Sequence, residues 1–174
     1  MDINAVKQAI RDVPDFPKPG ILFKDITTAI KNPEIVSFLS KHIADYYRNK
    51  GINKVAGIES RGFIFGSILA LQLNAGFIPV RKPGKLPAET LKKTYSLEYG
   101  EDAVEIHKDA INPGDIVLLH DDLLATGGTA LAALELLQEL GAKKVYTNFL
   151  IELEFLKGIE RLKEYTEVYS LIKY

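Results

Sequence analysis

Cysteine is absent from the 174 residues of this chain. Disulfides, thiolate metal ligands and cysteine nucleophiles are thereby excluded, and a reducing compartment, the cytoplasm by default, is compatible with the sequence. A dominant charge is missing too: 22 basic and 23 acidic residues leave a formal net charge of -1. No overall attraction to nucleic acid or to a membrane surface is expected, although a local patch can still draw an anion. Long hydrophobic runs are lacking as well. The longest, "GFIFGSILAL" from Gly62 to Leu71, has about half the length needed to cross a bilayer. The opening "MDINAVKQAIRDV" scatters charges through its length and lacks an apolar centre with a cleavage site, so it reads as a short amphipathic helix rather than a secretory signal. Internal repeats, low-complexity tracts and interdomain linkers are absent. With 47% hydrophobic residues, the chain suits a single domain spanning residues 1–174.

What is present alternates between two periods. "PDFPKPG", Pro14 to Gly20, has three prolines and a glycine that force an extended or turning segment before the strand-like "ILFKDIT". From Pro33 to Lys50, Val36, Leu39, Ile43, Tyr46 and Tyr47 recur at helical spacing. "KVAGI" and "GFIPV" read as strands around Gly62 to Asn74, a helix apolar nearly all round that needs both faces covered. Residues Arg81 to Lys93 carry two prolines, one glycine and no hydrophobic period, which predicts a long loop. "TYSLEYG" and "AVEIHK" then suit a hairpin, "DIVLLHD" a buried strand, Gly127 to Leu140 a helix, and "KVYTNFLIEL" and "TEVYSLI" two more strands. Strands alternating with helices predict an α/β fold, a parallel sheet flanked by helices. Ligands in such sheets sit beyond the carboxyl ends of the strands.

Three of those ends are unusual. In "VLLHDDLLATGGT", an apolar strand from Ile116 to His120 runs into Asp121 and Asp122 and then into a loop of small residues. Ala125, Thr126, Gly127, Gly128 and Thr129 precede a helix whose first N–H groups point outward; the glycines permit close approach and the threonines add hydroxyls. The lysine of a P-loop and a G-x-G-x-x-G fingerprint are both missing. A phosphate cradle beside two carboxylates suits a ribose 5-phosphate, with the acids accepting from the ring hydroxyls. Glycine and threonine also serve as plain turn and cap residues. The second end, "IESRG", offers Ser60 and the Arg61 guanidinium with backbone N–H groups to a pyrophosphate, or is a surface arginine beside a helix start. The third is the basic loop with Arg81, Lys82 and Lys85, which reads equally as a solvated connection. His120 beside the aspartates raises a metal-binding H-D-D alternative, but strand alternation turns it away from Asp121.

"VLLHDDLLATGGT" resembles the phosphoribosyl-pyrophosphate signature of type I phosphoribosyltransferases. "DFPKPGILFKDIT", "ESRGFIFG", "VRKPGKLP" and "YSLEYG" are similar, in the same order, to segments of the adenine-specific members of that family. The resemblance covers nearly the whole chain. It implies the type I fold with a small N-terminal hood over the base from residues 1–30, a mobile active-site loop over residues 81–100, and a homodimer. It implies Mg2+-dependent conversion of adenine and phosphoribosyl pyrophosphate to AMP and pyrophosphate, with magnesium carried mainly on substrate oxygens and water rather than by dedicated protein ligands. Nucleic acid and membrane are not expected partners. By resemblance Asp121, Asp122, Arg61 and Glu98 are catalytic, Glu98 as acid or base at the purine imidazole with Tyr99 closing the lid. Leu22 and Lys24 fall on the base and substrate side, with Phe23 a stacking candidate, although the same residues would suit a core strand. Ser60 and Arg61 form the pyrophosphate loop, with a cis peptide at Glu59–Ser60. Arg81, Lys82 and Lys85 meet the pyrophosphate, and Ala125 to Thr129 hold the 5-phosphate. A regulator that only senses phosphoribosyl pyrophosphate would add a DNA-binding segment or lose the basic loop.

Overall fold

The computed structural model describes residues 1–16, 19–96 and 100–174. These divide into two compact units, Met1–Asp45 and Tyr46–Tyr174.

The first unit opens with helix α1 (Ile3–Ala9), capped by Asp2, whose carboxylate accepts from Ala5 N–H at 2.8 Å. Strands β1 (Arg11–Pro14) and β2 (Leu22–Asp25) pair antiparallel, Val13 opposite Phe23. Arg11 pairs with Asp25 across the hairpin and holds that carboxyl down at about 2. A short helix α2 (Thr27–Ile30) leads to α3 (Pro33–Tyr47), with Asn32 accepting from Glu34 N–H at 2.9 Å. The buried stripe of α3 is Ile35, Leu39, Ile43 and Tyr47, a strict four-residue spacing. Val36 is only half-buried and Tyr46 is 42% exposed, so the sequence-predicted stripe is off by one position at its start. Tyr46 instead stacks on Tyr169 in the second unit's own fold, ring centroids 4.0 Å apart.

The second unit is built on five parallel strands in the order β4–β3–β7–β8–β9. They are β3 (Lys54–Ile58), β4 (Gly76–Val80), β7 (Ile116–Leu124), β8 (Lys144–Glu152) and β9 (Glu167–Lys173). Between β4 and β7 an antiparallel hairpin, β5 (Thr90–Ser96) and β6 (Glu101–His107), forms a separate two-stranded sheet. Thr90 to Lys93 therefore belong to a strand, which shortens the predicted loop; from Leu91 onward its side chains alternate between half-buried and exposed, a pattern masked in sequence by two adjacent lysines. Helix α4 (Gly62–Gln72) packs on β3, β4 and β7, and α5 (Gly128–Glu139) packs on the hairpin, β7 and β8.

Alternation along the strands decides which helix each side chain meets. Ala56, Ile58, Val117, Leu119, Val145 and Phe149 join the core shared with the buried face of α5. The buried residues of β7 between them point to the α4 side, with His120 6.4 Å from Phe65. Helix α4 is buried through Gly62, Phe65, Gly66, Leu69 and Ala70. Leu71 is 82% exposed and Phe77 on β4 is 36% exposed. No helix among the described residues is long and apolar enough to cross a membrane.

Chain order reverses at β3: the chain passes from β3 to β4 on one side and later returns through β7 on the other. Such a switch point opens a crevice beyond the carboxyl ends of the two strands. "ESRG" follows β3 and the acidic pair lies near the carboxyl end of β7, so both unusual segments meet there.

Candidate active site

The two aspartates lie inside the strand rather than after it. β7 keeps pairing with β8 through Asp121–Phe149, Leu123–Ile151 and Leu124–Glu152, which extends the expected strand by four residues. Asp122 is buried and its Oδ2 lies 2.8 Å from Arg61 Nε, an ion pair joining β7 to the start of α4. Asp121 is half-buried, and its Oδ1 accepts from Asp122 N–H at 2.8 Å. Gly62 makes this approach feasible: a Cβ there would lie 2.9 Å from the His120 carbonyl oxygen and 3.1 Å from Asp121 Oδ1. Burial, followed by the charge of Asp122, pushes the Asp121 carboxyl well above the usual carboxylate range. Asp122 is raised as well by burial, with the Arg61 guanidinium opposing. The pair thus stores electrostatic repulsion at the mouth of the crevice, where a polyol or a cation would relieve it.

Beyond Leu124 the chain turns through Ala125, Thr126 and Gly127 into α5. Gly127 has φ +80°, the left-handed region that glycine tolerates, and Gly128 opens the helix. A cavity of about 80 Å³ sits here, bounded by Asp121 and by Ala125, Thr126, Gly127, Gly128, Thr129 and Ala130. A water molecule occupies about 30 Å³ of liquid, so the cavity suits a tetrahedral oxyanion facing the unpaired N–H groups of the α5 first turn. The Thr129 hydroxyl differs from expectation, because it donates to the Tyr95 oxygen at 2.9 Å. Thr126 is exposed.

Gly158 escaped the sequence reading. The segment after β8 forms two short 3-10 turns, Glu154–Leu156 and Gly158–Arg161, and the second packs on the turn from Ala125 to Gly127. A Cβ on Gly158 would lie 2.2 Å from the Ala125 carbonyl oxygen and 3.0 Å from Gly127 N; one on Gly127 would lie 2.6 Å from the Gly158 carbonyl oxygen. Two glycines 31 positions apart are thus matched across a backbone contact. No local pattern marks the second of them.

At the other loop the Glu59–Ser60 peptide is cis, as the resemblance implied. Ser60 is exposed, and Glu59 turns its carboxylate toward the basic segment, accepting from Arg81 Nε at 3.0 Å and from Lys82 N–H at 2.9 Å. The Arg81 backbone is fixed against Glu105 by two hydrogen bonds of 2.9 and 2.7 Å. Arg81 also donates to the Lys85 carbonyl at 3.3 Å, and the Lys85 side chain is exposed. Lys82 reaches Asp102 and Tyr95 on the hairpin.

His120 is fully buried next to the acids and is tied away from them. Its Nδ1 is 2.8 Å from Asn148 Oδ1, and the Asn148 amide donates to the Tyr169 carbonyl at 2.9 Å. Burial lowers its pKa to about 4, so the ring is neutral at pH 7. Its place is structural, as strand alternation implied, although alternation also puts it on the Asp122 side of the strand.

Leu22, Phe23 and Lys24 belong to the first unit. Leu22 is 44% exposed, Phe23 meets Phe16 edge-on at 5.2 Å, and Lys24 is buried with its Nζ 2.5 Å from Asp12 Oδ1. Glu98 and Tyr99 lie outside the described residues.

Residues 27–173 match the family model of the phosphoribosyl transferase domain. The chain is 58% identical over 172 residues to the adenine phosphoribosyltransferase of Bacteroides thetaiotaomicron, covering 99% of this chain and 98% of that protein. It superimposes with TM-score 0.95 on the enzyme of Giardia lamblia complexed with 9-deazaadenine, at 43% identity, covering 100% of this chain and 98% of the other. The adenine phosphoribosyl transferase of Trypanosoma brucei, in complex with AMP, pyrophosphate and ribose-5-phosphate, gives TM-score 0.88 at 27% identity, covering 98% and 78% of the two chains.

Proposed function

This chain belongs to the phosphoribosyl transferase family, and we infer from that membership and from the site that it transfers a 5-phosphoribosyl group from phosphoribosyl pyrophosphate to adenine. The products are AMP and pyrophosphate, a purine-salvage reaction. One observation carries the reading: an anion-sized cavity at the α5 N-terminus adjoins a repelling acid pair at the sheet's switch point. The choice of adenine is supported by relatives above half identity over almost the whole chain.

In the reaction the C1'–oxygen bond to pyrophosphate breaks, its electron pair leaving with the pyrophosphate, and a bond forms from adenine N9 to C1'. The proton at N9 departs to a base, the role the resemblance gives to Glu98. Positive charge gathers on the ribose ring between those events, as in glycoside cleavage. Asp121 and Asp122 accept from the ribose hydroxyls and oppose that charge, and Arg61, oriented by Asp122, meets the departing pyrophosphate. Arg81, held by Glu59, and Lys85 act at the same end. Among the described residues no group of three or more histidine or acidic side chains could hold a metal ion, which fits a magnesium ion that would keep several waters and be carried on substrate phosphates. When bound it neutralises the leaving group. Ala125 to Gly128 cup the 5-phosphate, and Leu22 and Phe23 are the proposed base contacts.

A second copy of this chain is the proposed cover for the open side of α4, where Leu71 and Phe77 stand exposed. The absence of cysteine agrees with the cytoplasm as the compartment. The purified chain, supplied with magnesium, phosphoribosyl pyrophosphate and one purine at a time, should form AMP from adenine, identified by mass. Turnover of hypoxanthine, guanine or xanthine in its place would move the chain to a sibling activity, and no turnover of any would refute the reaction.

A further inference from the structure

Four side chains beside the phosphate loop close on one another. Thr129 Oγ1 donates to the Tyr95 oxygen at 2.9 Å, and Tyr95 donates to Asp102 Oδ2 at 3.1 Å. Lys82 Nζ donates to the Tyr95 oxygen at 3.0 Å and to the same carboxylate, while Asp102 Oδ1 accepts from Ala103 N–H at 2.8 Å. The phenol is saturated: its one hydrogen and both lone pairs are engaged. The Tyr95 ring also fills the space over Gly128, whose Cβ would lie 3.3 Å from Tyr95 Cδ2. Burial works against the Lys82 ammonium, but Asp102 and Tyr95 hold its pKa above the ordinary value.

Arg81 and Lys82, neighbours in sequence, are thereby sent to different places. Arg81 turns to Glu59 after β3, whereas the Lys82 ammonium is two hydrogen bonds from the first turn of α5. Thr129 has given its hydroxyl hydrogen to Tyr95, so an anion in the cavity would draw on the Thr126 hydroxyl and on backbone N–H groups whose direction depends on that turn being held.

We propose that Tyr95, Asp102 and Lys82 are positioning residues for the phosphate loop, and that Lys82 serves the ribose 5-phosphate end of the substrate rather than its pyrophosphate end. The proposal rests on Ala125 to Thr129 being the phosphate site. Titration calorimetry of the whole chain, with ribose 5-phosphate and with magnesium pyrophosphate separately, distinguishes the two ends. Lys82→Met and Tyr95→Phe should each weaken ribose 5-phosphate about tenfold, the equivalent of one hydrogen bond to a charged group, with pyrophosphate within about twofold of wild type. The double variant should lose no more than about the larger single loss, because the two act through one network. Tyr95→Phe keeps the ring over Gly128, so it tests the hydroxyl without opening a void. Weaker pyrophosphate with ribose 5-phosphate unchanged in Lys82→Met, or additive losses in the double variant, would overturn the proposal. Failure of the wild-type chain to bind ribose 5-phosphate at all would remove the phosphate site itself, and the proposal with it.

Discussion

Gly158→Ala adds one methyl group where backbone meets backbone. Its φ is not in the left-handed region, so alanine brings no conformational strain of its own and the effect is steric. The new Cβ would sit 2.2 Å from the Ala125 carbonyl oxygen and 3.0 Å from Gly127 N, against the 3.4 Å or more of ordinary contact. No rotamer can relieve a clash between main-chain atoms. Either the 158–161 turn lifts off or the phosphate loop shifts by about 1 Å, and the cavity it bounds is only about 80 Å³. Overpacking of this kind costs about 1–3 kcal/mol, and at about 2–4 °C per kcal/mol for a chain of this size the melting temperature should fall by several degrees. A displacement of that extent beside the reacting groups can lower kcat/KM for phosphoribosyl pyrophosphate about a hundredfold. Steady-state kinetics and thermal denaturation measure both. Gly141→Ala is the control, since its φ is +95° with nothing within 4 Å: stability should fall by about 1 kcal/mol with activity unchanged. Wild-type kinetics in Gly158→Ala would refute the idea that this contact shapes the phosphate loop.

Asp121→Asn should trade activity for stability. The raised Asp121 carboxyl holds its proton more tightly folded than unfolded, so stability is lost as pH rises from the ordinary carboxylate range through the folded value. At pH 7 the amide should stabilise the ligand-free chain by about 1 kcal/mol, raising the melting temperature about 2–4 °C, while kcat falls about a hundredfold; a less stable variant would contradict the repulsion. His120 has the opposite sign. With its pKa lowered from 6.5 to about 4, its contribution is full above pH 6.5 and drains away toward pH 4. Urea denaturation should show wild type losing about 2 kcal/mol more than His120→Gln between pH 7 and pH 5, and parallel losses would deny the buried neutral ring. Leu71→Glu, which charges the open side of α4, should shift the mass seen by light scattering from two copies to one without unfolding the monomer, whereas an unchanged mass would place the interface elsewhere.

Most elements were legible in the sequence because their burial is simple. "KVAGI" and "GFIPV" coincide with β3 and β4: β3 is buried on both faces and apolar throughout, and β4, although an edge strand with Phe77 exposed, is an apolar run bounded by a glycine. The stripe on α3 was harder, because Tyr46 is apolar in bulk but sits on Tyr169, more than a hundred positions away. Only the start of β5, Thr90–Lys93, was hidden, within a lysine-rich stretch that carries no apolar alternation. The end of β7 was misjudged for a reason of chemistry: charged residues signal the end of a buried strand, unless, like Asp122, they find an arginine from another element.

The sequence by itself determined the alternating layout, the glycine turn into α5 and the acidic pair, because glycine freedom, a helix start and adjacent carboxylates are properties of consecutive residues. Tertiary structure alone decided what those groups touch. Arg61 meets Asp122 because β3 and β7 are neighbours at the switch point, Gly158 meets Ala125 because a turn after β8 folds back, and Lys82 parts from Arg81 because a hairpin offers it Asp102 and Tyr95. Each is a contact between residues at least 13 positions apart, fixed by strand order and packing rather than by any local spacing.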